Sequence, residues 1–393
     1  MSRNTTKKLF HGDNLDILQA CIESESIDLI YLDPPFNSKK IYNASVNDAQ
    51  IKAFDDIWYW TDQTSKLLDN LERRISGLYE QLMIIRKEIG ENGMSAYLVM
   101  MAARLVELNR VLKATGSLYL HCDPTASHYL KIIMDFIFGF KNFRHQIVWK
   151  RTSAHNDSKG WGHIQDNILF YSKSDEYVWN KVYTGYDQNY VAKFYRHTDD
   201  DGRRFQAGDL TAAGISKGGD SGKPWRGIDP GKKGNHWAIR RSFLNDPNIP
   251  ENTHKALDYL DAIGRIYWPP NGQIPRIKRY LDEMPGGPIQ EIITDIPPLS
   301  AKSKEKLGYQ TQKPLALLER IIAASSNKGD TVLDPFCGSG TTIEAAEKLQ
   351  RKWIGIDIAH LAIALTEKRL AGGYKNLKWE TIALPKEIKT LGS

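Results

Sequence analysis

The chain has 393 residues, 41% hydrophobic and 25% charged, with 53 Lys and Arg against 47 Asp and Glu for a formal net charge of +6. That length allows one large core beside a smaller domain; the apolar runs, such as Ile132 to Phe138 broken by Asp135, are too short to span a bilayer, and Met1-Ser2-Arg3-Asn4 opens no signal-peptide core. Cys21, Cys122 and Cys337 are scattered without metal-ligand spacing, which suits a reducing compartment and argues against structural zinc, while the modest positive charge fits a polyanionic partner without requiring one.

Lys8 to His11 predicts a strand, Gly12-Asp13 a turn, the segment through Leu15 and Leu18 a helix, and Ile27 to Leu32 an apolar strand. From Ser65 to Ile89 the residues Leu68, Leu71, Ile75, Leu78, Leu82, Ile85 and Ile89 recur at spacings of three and four, predicting one long amphipathic helix ended by Gly90 to Gly93. Such a stripe serves packing on its own domain more often than dimerisation. A helix from Ser95 to Leu112, a strand from Ser117 to His121, a helix from His128 to Phe138 and strands near Gln146 to Trp149 and Asn167 to Tyr171 follow. The alternation predicts a doubly wound α/β fold, with a mostly parallel sheet covered on both faces.

Between about Arg151 and Ser303, glycine, proline, aromatic and basic residues replace regular periodicity, which predicts an inserted, loop-rich domain. From Pro314 the α/β pattern resumes with a helix to Ser325, a strand Thr331 to Asp334, a glycine turn, a helix Thr341 to Leu349 and a strand Trp353 to Asp357. The expected organisation is therefore 1–150, with a helical insertion at about 64–90, then 151–303 holding the last core strand and the inserted domain, then 304–393.

Two strand ends carry the candidate chemistry. The run Asp334-Pro335-Phe336-Cys337-Gly338-Ser339-Gly340 places glycines between a strand and a helix, where a bare backbone can approach a ligand at the helix N-terminus. The next strand ends in Asp357, about where a doubly wound nucleotide fold binds ribose hydroxyls. Ile343 stands where a dinucleotide fingerprint has its third glycine, which counts against a pyrophosphate ligand and so against a nicotinamide oxidoreductase. Earlier in the chain, strand Ile27 to Leu32 runs into Asp33-Pro34-Pro35-Phe36; consecutive prolines stop the ladder and hold Asp33 and the Pro34 carbonyl rigidly at the strand's carboxyl end.

Asp33-Pro34-Pro35-Phe36 resembles the catalytic D-P-P-[YF] motif of DNA methyltransferases that act on exocyclic amines, and Phe336-Cys337-Gly338-Ser339-Gly340 resembles their F-x-G-x-G cofactor motif. The order, catalytic motif first and cofactor motif last around a variable domain, is similar to the β group of that family. Gly12-Asp13, Gly116 to His121 and Gln310-Thr311-Gln312-Lys313-Pro314 extend the likeness, which covers about Leu9 to Tyr177 and Tyr309 to Leu370. The resemblance implies S-adenosylmethionine as cofactor, with Asp13 at its adenine, Asp357 at its ribose, and Thr311, Lys313, Asp334, Phe336, Gly338 and Gly340 at its remaining contacts. It implies Asp33 and the Pro34 carbonyl at the target amine, with Pro35 rigidifying the turn and Phe36 stacking on an extruded base.

An exocyclic base amine is a poor nucleophile because its lone pair is delocalised into the ring; two acceptors on its hydrogens favour a tetrahedral nitrogen that can attack a sulfonium methyl in line. Stacking on an aromatic side chain contributes about 1–3 kcal/mol. Asp33 leans toward N6 of adenine, since serine often replaces this first residue in cytosine-N4 enzymes; cytosine N4 and a catalytically dead DNA-binding protein are the alternatives. Cys337 sits inside the glycine turn and no cysteine follows a proline, so carbon-5 methylation of cytosine is not expected. His121, His145, His155 and His163 lack metal-ligand spacing, and no metal is expected.

In the middle domain Lys217, Lys223, Arg226, Lys232, Lys233, Arg240 and Arg241 cluster among glycines, with Trp225 and Trp237 interleaved. Basic loops with planar side chains suit phosphate contacts, groove readout and filling the gap left by a flipped base, so this stretch is assigned to target recognition on double-stranded DNA. The setting that follows is the cytoplasm of a prokaryote or of a phage-infected cell, at the nucleoid. A homodimer and a cognate restriction nuclease are compatible with the pattern but not fixed by it.

Overall fold

A computed structural model of the chain describes residues 6–36, 40–46, 49–152, 160–214, 216, 219–244, 246–270, 274–300 and 302–383. Lys217 and His155 lie outside these residues. The chain divides into two compact units, one of 1–182 with 290–393 and one of 183–289. The second is narrower than the 151–303 boundaries because the flanking strands below belong to the first unit's sheet.

The first unit is built on a nine-stranded sheet of β1 (Lys8–His11), β2 (Ile27–Leu32), β3 (Leu112–Cys122), β4 (Phe143–Lys150), β5 (Gln165–Ser172), β6 (Ile292–Ile293), β7 (Thr331–Asp334), β8 (Lys352–Asp357) and β9 (Glu380–Ala383), in the spatial order β6-β4-β5-β3-β2-β7-β8-β1-β9. Pairing is parallel from β3 through β9 and between β4 and β6, and antiparallel only where β5 meets β3 and β4. The expected mostly parallel sheet is thus present. Because β2, β7, β8 and β1 are contiguous and parallel, Asp33, Pro335, Ile358 and Gly12 leave the sheet along one edge, the place where open α/β sheets bind ligands.

Helices α1 (Asn14–Cys21), α2 (Asp62–Arg74), α3 (Ser76–Ile89), α4 (Gly93–Val111), α5 (Pro124–Met134), α6 (Leu315–Ser325), α7 (Thr341–Lys348) and α8 (His360–Gly373) complete this unit. Alternate residues of β2 enter two different cores: Ile30 and Leu32 pack with α1 to α5, Leu29 and Tyr31 with α6 and α7. Burial on both faces is why β2 reads as a continuous apolar run instead of an alternating one. Helix α4 is buried almost all round because α1, α2, α3 and α5 all pack on it.

The single helix expected over Ser65 to Ile89 is two. Ile75 adopts φ −150°, ψ 77° between α2 and α3 while its N–H still bonds Leu71 O at 2.7 Å. The break lets Leu68 and Leu71 dock separately from Leu78, Leu82 and Ile85, and Gly77 admits the Phe136 ring, which would stand 2.7 Å from a Cβ there. Periodicity runs through the kink because both stripes face the same core. The helix expected over His128 to Phe138 starts earlier, at Pro124, with Asp123 accepting the Ala126 N–H as its N-cap, and ends in a π turn over Asp135–Gly139.

The second unit is more regular than its composition suggests. Strands Ile266–Tyr267, Arg276–Tyr280, Arg204–Asp209 and His197–Thr198 form an antiparallel sheet beside the helix Thr253–Ala262, and Thr211–Ala213 pairs with Asn235–Trp237. Trp225 and Trp237 are 4% and 2% exposed and form this unit's core with Leu210, Leu257, Leu260 and Ile277. Their indole N–H groups are held internally, by Asp258 Oδ1 at 2.9 Å and Lys223 O at 3.0 Å. They are therefore core residues, unable to fill a gap in DNA as the sequence reading had them do.

Candidate active site

Two cavities open along the carboxyl edge of the first unit's sheet. The first is lined by Gly12, Asp13 and Asn14 after β1, Tyr31, Asp33 and Pro35 on and after β2, Asp334 to Ser339 after β7, Thr341 and Thr342, Asp357 and Ile358 after β8, and Arg104 from α4. The second is lined by Asp33 to Phe36, Asp56, Trp149, Arg151, Asp166, Pro298 and Leu299. Asp33, Pro35, Tyr309, Thr311, Gln312 and Lys313 line both, and form the wall between them.

In the first cavity the glycine turn is tied to the neighbouring strand. Gly338, at φ +50°, donates its N–H to Asp357 Oδ2 at 2.9 Å, and Ala359 donates to Asp357 Oδ1 at 2.8 Å. Asp357 keeps further lone pairs for a ligand, since each carboxylate oxygen accepts about two hydrogen bonds. Burial pushes its carboxyl up, the two N–H groups offsetting part of that rise. Asp334, whose Oδ1 accepts the Phe336 N–H at 3.0 Å, is pushed up to about 7 by burial, against the bonds from Thr342 and Phe336 and helped by the nearby Asp33 and Asp357 carboxylates. Cys337 is buried and its thiol is raised by that burial, a poor state for a nucleophile.

Gly340 is the exception among the expected cofactor contacts. It does not line the cavity; at φ +77° it caps α7, and a Cβ would meet Thr366 of α8 at 2.6 Å. The second glycine is thus required by helix packing, whereas Gly338 lines the cavity.

Asp13 caps α1 by accepting the Leu15 N–H at 2.8 Å, and its carboxylate meets Arg104 at 2.9 and 3.1 Å. Arg104 also donates to Asn14 Oδ1 at 2.6 Å, and Asn14 donates to Pro335 O at 2.6 Å, which fastens the Gly12-Asp13 turn to the glycine loop. Neither Arg104 nor Asn14 was singled out from the sequence. The available signal was Arg104 itself, the lone charge in the apolar run Ala96 to Val106, which burial obliges to find a partner.

On the shared wall, Asp33 Oδ2 is ion-paired with Lys313, whereas Oδ1 is buried and accepts no hydrogen bond from the described residues. Lys313, expected beside the cofactor, is held at the catalytic motif instead while still lining both cavities. Its ammonium also lies 5.6 Å from the Phe36 ring centroid. The Phe36 N–H is fixed by Asp56 Oδ2 at 3.1 Å, and its ring stacks on His121 with centroids 5.9 Å apart and 22° between planes.

His121 is completely buried in a polar chain. Its Nδ1 is 2.8 Å from Tyr31 Oη and its Nε2 is 3.1 Å from Asp166 Oδ2, while Arg151 reaches Asp166 Oδ1 at 3.3 Å. Burial raises the Tyr31 hydroxyl's pKa, so it donates to Nδ1 and the Nε2–H donates to Asp166. Burial alone would raise Asp166, but the hydrogen bond from His121 and the positive charges of Lys313 and Arg151 bring it below the ordinary carboxylate value. The β3 histidine is thus a brace beneath Phe36. His145 faces Glu291 at the surface, and among the described residues no group of three or more potential ligands could hold a metal ion.

The basic residues assigned to target recognition fall in the second unit and divide there. Arg226 is ion-paired with Asp258 and Asp261 and lies over Trp225, and Arg241 donates to the carbonyls of Ile249, Pro250 and Glu251. Both stabilise the unit itself. Lys223, Lys232, Lys233 and Arg240, exposed like those two, form no ion pair among the described residues.

A family model described as DNA methylase, covering N6 and N4 methyltransferases, matches residues 27–368. The Type II methyltransferase M.EcaI of Enterobacter cloacae is 31% identical over 366 residues, 93% of this chain and 69% of that protein. The Mod subunit of the type III restriction-modification enzyme StyLTI from Salmonella typhimurium is 27% identical across 89% of this chain, which spans 51% of its length. The DNA adenine methyltransferase YhdJ of Escherichia coli is 26% identical, across 93% of this chain and 83% of that protein.

Proposed function

The chain belongs to the N6 and N4 DNA methylase family, and on that premise we propose that it methylates the exocyclic N6 amine of adenine in double-stranded DNA. The observation that carries this reading is the Asp33 Oδ1 atom, a buried acceptor without a donor among the described residues, on the wall between two cavities. A buried carboxylate oxygen left unsatisfied is destabilising by about 1–3 kcal/mol or more, so a ligand that supplies an N–H is favoured there. An exocyclic amine is such a ligand.

The first cavity suits S-adenosylmethionine: Asp357 and the Gly338 turn take the ribose side, Asp13 with Asn14 the adenine side, and Thr311 with Asp334 the methionine side. When bound, S-adenosylmethionine supplies a sulfonium methyl, an electrophile that needs no metal. The second cavity takes the flipped base, with Phe36 as its stacking face. Asp33 Oδ1 accepts one amino hydrogen and the Pro34 carbonyl the other, which localises the nitrogen lone pair. Lys313 orients Asp33, and the Tyr31, His121 and Asp166 chain holds Phe36 from below. The second unit carries target recognition, and the type II and type III relatives support a restriction-modification setting.

The test is methyl transfer from labelled S-adenosylmethionine to duplex DNA, followed by digestion to nucleosides and mass spectrometry. N6-methyladenosine is the expected product. N4-methylcytosine would overturn the choice of base, and no transfer to DNA would overturn the activity.

A further inference from the structure

In the second unit, Arg279 and Arg240 carry guanidinium groups that no ion pair among the described residues neutralises. Its other described arginines, apart from Arg196, are engaged: Arg203 with Asp282 and Glu283, Arg265 with Glu283, Arg276 with Asp209, Arg226 with Asp258 and Asp261, Arg204 and Arg241 with main-chain carbonyls. Arg279 has no ion pair and no hydrogen bond among the described residues, and its Nε is buried. Burial, then the neighbouring Arg240, lower its affinity for its own proton. Arg240 is exposed and likewise without an ion pair among the described residues.

Two features form a seat for this unsatisfied charge. Arg279 lies over the face of Phe243, 4.6 Å from the ring centroid, and Phe243 is itself 40% exposed. Gly208, on the paired strand, makes room beneath: a Cβ there would stand 2.6 Å from Arg279 Nε. A guanidinium is planar with five N–H donors, and half-burying one beside a second cation is unfavourable unless an anion joins them.

We propose that Arg279 and Arg240, seated on Phe243 and Gly208, form a clamp for a phosphate of duplex DNA. Phosphodiester oxygens supply both the negative charge and the acceptors that the guanidinium groups lack. The inference rests on the reading of the chain as a DNA methyltransferase, since it names where the second unit grips that substrate.

The experiment uses the full chain, with wild type, Arg279→Gln, Arg240→Gln and the double variant. Binding is titrated by fluorescence anisotropy across a salt series, on a duplex containing the methylated sequence and on an unrelated duplex of equal length. Arg279→Gln is expected to weaken binding to both duplexes roughly tenfold at moderate salt, and to lower the log-log salt slope by about one, the double variant by about two. Its melting temperature should be no lower than wild type, because an unsatisfied charge has been removed; a clear fall would make the guanidinium structural and overturn the clamp. Loss confined to the methylated sequence would move Arg279 to a base edge and overturn the phosphate assignment, and unchanged affinity and slope on both duplexes would overturn the site altogether. Methyl transfer by the wild-type preparation is read in parallel: if it transfers no methyl to DNA, the enzymatic reading fails instead.

Discussion

In the catalytic unit, ionic side chains gather where strand ends meet: Asp33 against Lys313, Asp13 against Arg104, Asp166 against His121 and Arg151. What this pairing leaves over, on the wall between the cavities, is an acceptor, the Oδ1 of Asp33. In the second unit Arg203 pairs with Asp282, Lys278 with Asp199 and Arg276 with Asp209, and among the described residues what this leaves over is donors, on Arg279 and Arg240. The residue of each balance points at a ligand of opposite character. A lone buried acceptor suits amino hydrogens; unpaired guanidinium groups suit phosphate oxygens. Both are present in one substrate, duplex DNA, whose bases bear exocyclic amines and whose backbone bears the phosphate oxygens.

The largest effect expected from breaking this arrangement is at the acceptor. Asp33→Ala should lower methyl transfer by at least about a hundredfold to a thousandfold, the range seen when one preorganised polar group is removed from a reacting centre. Cofactor affinity should stay within a few-fold, because the Gly338 and Asp357 contacts are untouched. Lys313→Met separates the two roles open to that lysine. If it orients Asp33, kcat falls by roughly ten- to a hundredfold with cofactor Kd retained, and Lys313→Arg restores part of the rate; a collapse of cofactor Kd with kcat preserved would return it to the cofactor. Single-turnover kinetics beside equilibrium binding decide it.

Next comes the acid buried beneath the first cavity. With its carboxyl pushed up to about 7 by burial, Asp334 takes up a proton on folding between about pH 4 and pH 7. Stability therefore falls as pH rises from about 4 to about 7, and the unfavourable contribution is complete above that, on the order of 3 to 4 kcal/mol. Asp334→Asn keeps the Phe336 bond and removes the titration. Denaturant unfolding should find the variant close to wild type at pH 4 and more stable at pH 8. Parallel curves at both values would show the carboxyl ionised throughout.

A comparable loss is expected at Gly340. Since a Cβ there meets Thr366 and the backbone stands at φ +77°, Gly340→Val should destabilise the first unit by about 2–4 kcal/mol, while molecules that remain folded still bind cofactor. Thr366→Ala in the same chain should recover part of that loss, the overlap, and leave the part due to backbone conformation. Normal stability with lost cofactor binding would place Gly340 at the ligand after all.

The same contrast explains what could be read in advance. Asp33, Gly338 and Asp357 were legible because a motif at a strand end fixes its own backbone, and parallel order then carries it to a common edge. Strands Ile27–Leu32 and Thr331–Asp334 were read to the residue for the same local reason. The kink at Ile75 was not, because periodicity is blind to a break that preserves the buried face. Trp225 and Trp237 were misjudged, and so were Arg226 and Arg241: whether an aromatic is core or a cation is free depends on partners such as Asp258, Asp261 and Ile249, which no local spacing reveals.

The smallest effect expected tests that division among the cations. Lys232 and Lys233 sit exposed on a 3₁₀ turn capped by Asp229 and closed by Gly234 at φ +68°. If each neutralises one phosphate, Lys232→Ala with Lys233→Ala should lower the log-log salt slope of duplex binding by roughly two and leave the melting temperature and cofactor affinity unchanged. Charge reversal to Glu would weaken binding further through repulsion, so the neutral pair is the cleaner measure of lost contacts. Arg241→Gln is the counterpart: it removes the bonds to the Ile249, Pro250 and Glu251 carbonyls, so it should lower the melting temperature by a few degrees and leave the salt slope as it was. Should the lysine pair leave the slope unchanged while Arg241→Gln reduces it, freedom from a partner would have been the wrong criterion. An arginine bonded to its own backbone would then be able to turn to DNA, and the grip would lie with residues that the folded unit already holds.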